Sequence, residues 1–196
     1  SISHCLIAEN YKGGIHCIMS QSEIRNCSIV RGTVRLEGEG SCTIIGSILW
    51  SGYADYFPIV CRDPHPDCSN VTINYSCVEN WDGTLGGVGN IGEDPIFAEP
   101  GYWDDPCDTP EWSWDNVWVQ GDYHLKSQGG RWDPNEGGWV IDDVTSPCID
   151  GGDPISSIGP EVFPNGGIIN MGAYGGTVEA SKSYFGKPPC ETVMAG

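Results

Sequence analysis

The chain has 196 residues and 39% of them are hydrophobic, which suffices for one domain of ordinary size with a modest core. Its 28 Gly and 14 Pro exclude an architecture of long helices and call for many turns. Twenty-seven acidic residues against nine Lys and Arg give a formal net charge of -18, which disfavours nucleic acid and anionic lipid as partners, and no apolar window reaches the ~20 residues of a membrane span.

In chain order, the first elements are repeats. Four short runs align: "ISHCLI" from Ile2, "IRNCSI" from Ile24, "IIGSIL" from Ile44 and "INYSCV" from Ile73. Their starts lie 22, 20 and 29 residues apart. A recurrence near 20 residues, built from β-branched residues in runs too short for helices, predicts stacked coils of a solenoid. Intervening runs from Gly14 ("GIHCIM") and Gly32 ("GTVRL") predict a second strand per coil, with each glycine at a corner. Stacking at the ~4.8 Å strand spacing gives a parallel β-helix. Cys5 and Cys27 then lie one above the other facing inward, with Cβ atoms slightly too far apart for a bridge. His4 and His16 alternate away from Cys5 and Cys17, so neither pair converges on a zinc ion.

The longer third interval contains Ser51 to Asn70, read as an excursion from the coil. Ten Cys point to an oxidising compartment and hence a secreted, extracellular protein. Cys61 and Cys68 flank the turn-forming "RDPHPD" and are expected to pair. Cys107 and Cys148, both in loop-rich sequence, are the second expected bridge.

From Trp81 the periodicity fades. Six of the eight Trp follow: Trp103, Trp112, Trp114, Trp118, Trp132 and Trp139. Two readings stand: an aromatic layer that caps the open solenoid end, or a platform whose indole faces pack on sugar rings. The same stretch holds Asp104, Asp105, Asp142 and Asp143, hard oxygen ligands that suit Ca²⁺. None has the spacing of an EF-hand loop, and residues such as Asp105 before Pro106 also form turns.

"GNIGEDPIF", "GDYHLKSQGGRWDP", "TSPCIDGGDP" and "INMGAYGG" follow one another from Gly89 to Gly176. In this order they resemble the C-terminal part of secreted bacterial right-handed parallel β-helix repeat proteins. The ending "YFGKPPCETVMAG" resembles the linker that leads into a calcium-binding dockerin in such proteins, although no dockerin loop is present. The resemblance implies an all-β, right-handed parallel β-helix with an irregular, aromatic-rich C-terminal cap. The expected divisions are coils over 1–80, a loop-rich capping region over 81–186 and a linker-like tail over 187–196.

Across residues 1–80 no two strand-face acids align with a base, and no nucleophile elbow, phosphate loop or HExxH motif occurs. No catalytic residue is assigned. Two functions remain. One is a structural or adhesive extracellular module that self-associates head to tail, with Ca²⁺ relieving its charge. The other is the C-terminal part of a polysaccharide-binding or polysaccharide-degrading protein.

Overall fold

The structure, a computed structural model, describes residues 1–10, 13–52, 58–62, 66, 68–104 and 117–186. Seventeen strands are present among them and no helix, so none is long and apolar enough to cross a membrane. The chain visits three parallel sheets in rotation. The first pass runs through β1 (Ile2–Ser3), β2 (Leu6–Ala8) and β3 (Ile15–Ile18). The second runs through β4 (Gln21–Arg25), β5 (Ser28–Val30) and β6 (Val34–Glu37), and the third through β7 (Ser41–Ile45), β8 (Ile48–Trp50) and β9 (Ile59–Cys61). β10 (Val71–Asn74) and β11 (Cys77–Val78) begin a fourth. The sheets are β1-β4-β7-β10, β2-β5-β8-β11 and β3-β6-β9, in which every neighbouring pair is parallel.

The register joins the residues that the sequence repeat aligns. Ile2, Ile24, Ile44 and Ile73 form one ladder. Ile7, Ile29, Leu49 and Val78 form another. Ile24, Ile29, Ile44, Leu49 and Ile73 are all 0% exposed and pack into one interior cluster. Burying each such side chain contributes about 1.5–3 kcal/mol.

Two sequence expectations shift. Ile15 pairs with Val34, so Gly14 lies level with Thr33, and Gly32 falls one residue earlier in the corner. Second, Ser51 to Asn70 is not wholly an excursion, because Ile59–Cys61 returns to pair with Val34–Leu36. The β-branched "IV" of that run suits a strand.

A left-handed residue marks one corner of every pass: His4, Asn26, Gly46 and Tyr75, with φ of 50°, 45°, 60° and 50°. The next residue turns inward and its side chain bonds the carbonyl two residues back. These bonds are Cys5 to Ser3, Cys27 to Arg25, Ser47 to Ile45 and Ser76 to Asn74, at 2.9–3.2 Å. The hydroxyls also accept from the pass beneath. Ser47 Oγ takes the Cys27 amide and Ser76 Oγ takes the Ser47 amide, each at 3.2 Å, and Asn90 Oδ1 closes the series on the Ser76 amide at 3.0 Å. Buried corner amides are thereby satisfied where the ladder is broken.

The remainder forms three antiparallel pairs. β12 (Phe97–Glu99) pairs with β15 (Asp122–Leu125), β13 (Tyr102–Asp104) with β14 (Val117–Val119), and β16 (Arg131–Asp133) with β17 (Gly138–Val140). Its first stretch lies over the open edge and the rest along the flank. The edge at β10 and β11 is covered by a short segment: the Tyr75 amide donates to Val88, Val78 donates to Ile91, and Cys77 bridges Ile91 in parallel. The rest lies along the flank. Val30, Ile48 and Cys77, on the outer face of the second sheet, pack with Phe97, Tyr123, Leu125, Cys148 and Met171. The Gly172 amide donates to Gly46 O at 2.8 Å and the Ala173 amide to Ser28 Oγ at 3.0 Å. β5 in the second sheet is therefore buried on both faces, which explains why it is apolar or small at every position.

Cys61 and Cys68 form a disulfide with Cα atoms 5.3 Å apart. Cys148 is a free, fully buried thiol, so the expected Cys107–Cys148 bridge is not made. Cys148 is buried in the flank cluster that also holds Cys77. Cys107 itself lies outside the described residues, as do Asp105, Trp112, Trp114 and the tail 187–196.

Candidate functional site

Where the outer face of the second sheet meets the flanking segment, a cleft of about 350 Å³ opens. That volume suits a small ligand or one unit of a polymer. Its first wall is built by the sheet. Val30 and Trp50 are in-register last residues of β5 and β8, so their side chains share one face. Arg31 follows in a left-handed conformation, φ 52°. Its guanidinium lies 3.3 Å from the Glu9 carboxylate and 4.5 Å over the Trp118 ring. Glu9 is drawn two ways: burial pushes its carboxyl up, and Arg31 offsets only part of that.

The floor beside Trp50 is held by Glu79, which is 8% exposed. Its carboxylate accepts from the Ser51 amide at 2.7 Å, the Gly52 amide at 3.0 Å and the Ser51 hydroxyl. Charge-assisted bonds from three donors fix this turn. Glu79 therefore acts as an anchor beneath the cleft. The second wall carries Asp94, Phe97 and Pro100. Phe97 is locked by an edge-on contact with Tyr123, ring centres 5.4 Å apart. An indole, the aliphatic side chains of Val30 and Ile96, a guanidinium and an exposed carboxylate thus line one cavity, an arrangement that can stack a pyranose ring and bond its hydroxyls.

Four of the predicted Trp residues are described, and they form two cross-strand pairs. Trp103 and Trp118 face each other across β13 and β14, at 5.5 Å and 67°. Trp132 and Trp139 do the same across β16 and β17, at 5.8 Å and 73°. In each pair the rings meet edge-on. Arg31 covers Trp118, and Lys182 Nζ stands 3.9 Å over Trp139. None of the four lines the cleft, although the first pair supports its Arg31.

Three of the predicted calcium ligands, Asp104, Asp142 and Asp143, are among the described residues. Asp104 ends β13 and is exposed, as is Asp143. Asp142 is 11% exposed and already has partners: Arg131 Nε at 3.2 Å and the Ser127 amide at 2.8 Å. Among the described residues no group of three or more His, Cys, Asp or Glu is arranged to hold a metal ion. Arg131 takes that place in a buried network. Its Nη1 is 2.9 Å from Asp122, whose other oxygen is 2.5 Å from His124 Nδ1. His124 is 2% exposed, stacks on Tyr174 at 3.6 Å and has Nε2 3.4 Å from Glu179. Burial alone would raise the Asp122 carboxyl; bonds from His124 and the charges of His124 and Arg131 outweigh it and hold the group below its ordinary value. The network ties β15 to β16 and to the stretch that carries Tyr174 and Glu179, and none of its residues lines the cleft.

Sequence reasoning passed over Arg31, Trp50 and Asp94. The available signal was positional: Trp50 and Val30 each follow the aligned repeat residue by one, on the face opposite Leu49 and Ile29.

One family model, described as "Disaggregatase related", matches residues 113–152. That span holds Asp122, His124, Arg131 and Asp142 of the buried network and both strands of the Trp132–Trp139 pair. No curated protein matches the chain, and no solved structure matches it.

Proposed function

We propose that this chain is a right-handed parallel β-helix of the secreted bacterial repeat type, working outside the cell as a non-catalytic module that binds a neutral polysaccharide. Support for the architecture comes from the rotation of the strands through three parallel sheets and from registers that join the equivalent residues of successive passes. The observation that carries the function is the Arg31–Trp50–Asp94 cleft, whose volume, aromatic wall and paired polar groups suit one or two sugar units. A neutral polymer is favoured because a net charge of -18 repels uronates and sulfated chains. The family description attached to residues 113–152 names no ligand, and the reading rests on the cleft.

Affinity measurements against a panel of neutral and acidic polysaccharides test it. Trp50→Ala is expected to weaken binding of the preferred neutral glycan by at least about tenfold, while Trp132→Ala leaves it unchanged. Binding that survives Trp50→Ala, or no binding to any glycan, removes the proposal.

A structural, self-associating role has its own observation. β1, β2 and β3 lie at sheet edges, and Leu6, Ile18 and Met19 there are 38%, 52% and 78% exposed. Such an edge can accept a further parallel strand. Light scattering across protein concentration, with and without Ca²⁺, separates the roles: growth of long assemblies supports this one and a monomer throughout opposes it.

A further inference from the structure

The guanidinium on the cleft wall has a carboxylate beside it that is not itself part of the wall. Arg31 lines the cleft and Glu9 does not. The backbone sets this pair. Ala8 and Val30 are the in-register last residues of β2 and β5, and the residue after each is left-handed, Glu9 with φ 57° and Arg31 with φ 52°. The Glu9 amide donates to Val30 O and the Arg31 amide to Trp50 O, each at 3.0 Å. Equivalent corners of successive passes are thereby stacked at the strand spacing. Glu9 Oε1 and Arg31 Nη1 lie 3.3 Å apart, on side chains 13% and 21% exposed. Trp118 steadies the same guanidinium, 4.5 Å from its ring centre. Gly101 of the second wall lies so close to that ring that a Cβ there would stand 2.5 Å from it. Arg31 is thus fixed by a carboxylate and by an indole that is itself wedged.

This placement sets the charge that a ligand meets. Among the described residues lining the cleft, Arg31 is the cation and Asp94 the acid, which balance. Asp94 is anchored through Oδ1, which accepts the Ile96 amide at 2.8 Å. Glu9 beside Arg31, and Glu79 beneath the Ser51 turn, tip the site to negative. A sugar hydroxyl is uncharged and can accept from the guanidinium without repelling Glu9. A uronate carboxylate on the same guanidinium would stand close to the Glu9 carboxylate in a partly desolvated place, where like charges repel strongly.

We propose that Glu9 confines the cleft to neutral sugars: acting through Arg31, it offsets the charge on which an acidic glycan would dock. That role presupposes the glycan site proposed above and adds a local determinant of its specificity. The net charge of -18 opposes acidic polymers over the whole surface, whereas Glu9 acts at one guanidinium. Glu9 is a positioning residue, since the sugar touches Arg31. Glu9→Gln makes the site one charge unit more positive and nearly preserves the side chain's shape.

The test uses two matched probes. One is the neutral hexose polymer that binds the wild type best among glucans, mannans and galactans. The other is the same polymer with its C6 hydroxymethyl groups oxidised to carboxylates. The wild type is expected to prefer the neutral form by at least about tenfold at low ionic strength. In Glu9→Gln that preference should narrow by about threefold or more, and the narrowing should fade in about 0.5 M salt. Glu9→Asp keeps the charge and should keep the ratio, and Arg31→Gln, which removes the cation and leaves Glu9, should widen it. Trp50→Ala added to Glu9→Gln should abolish the gained binding, which locates it in the cleft. If Glu9 merely held Arg31 in place, Glu9→Gln would weaken both polymers equally. An unchanged ratio in Glu9→Gln, or no widening in Arg31→Gln, therefore overturns this role and leaves the glycan site standing. A wild type that binds no polymer of the panel overturns both.

Discussion

Arg131 shows how one buried side chain organises the C-terminal half. Its guanidinium stands between Asp122 and Asp142, and all three side chains are 11–12% exposed. Replacing a buried ion-pair member strands its partners, so Arg131→Met is expected to cost about 3–5 kcal/mol at neutral pH, seen in the urea midpoint. The pH dependence has a definite sign. Asp122 is held below its ordinary value in the folded protein, so its contribution is present above about pH 4 and disappears as pH falls through the folded value. In Arg131→Met that depression is weakened and the carboxyl protonates earlier on acidification. The wild-type advantage should therefore narrow between about pH 5 and pH 3. A gap that stays constant across that range would show that the guanidinium does not hold Asp122 ionised.

At the scale of elements, the antiparallel hairpins carry the tryptophans that composition made conspicuous. Trp132 and Trp139 are directly opposed across β16 and β17, and their contact is edge-on. Such pairs add about 1 kcal/mol beyond the area they bury. A double-mutant cycle with Trp132→Ala and Trp139→Ala, read by chemical denaturation, should return a coupling near that value. A coupling of zero would mean that the two rings stabilise the fold independently. The parallel strands were legible in the sequence because their constraint is periodic: every pass must place Ile24, Ile44 or Ile73 on the same ladder. The inward Cys27 and Ser47 were legible for the same reason. The hairpins were not, since Trp103 and Trp118 meet across a long connection that no period marks. The cleft was hidden for a different cause. Its walls come from separate stretches, Val30 to Gly52 and Asp94 to Gly101, and a fold-level contact alone brings them together. Asp142 misled for a third reason, because composition shows an acid and not its guanidinium partner.

For the whole molecule, the arrangement decides whether stack and flank unfold together. One cluster fills the interior of the three sheets and a second joins the outer face of the second sheet to the flanking segment. Adjacent residues of single strands serve both: Ile29 points into the first cluster and Val30 into the second, and Leu49 and Ile48 divide in the same way. Loss of the flank would thus expose Val30, Ile48 and Cys77, together with the Ser28 hydroxyl that takes the Ala173 amide. The stack cannot shed the segment without uncovering a sheet whose strands are apolar on both faces, so cooperative unfolding is favoured. Met171 tests this, being 2% exposed in the second cluster and distant in sequence from every strand. Met171→Ala should lower stability by about 3 kcal/mol. Calorimetry is expected to show one transition displaced to lower temperature, because the damage at the seam is shared by both parts. If two transitions separate, with only the first responding to the substitution, the flanking segment is a dispensable layer and the strand stack holds on its interior ladders alone.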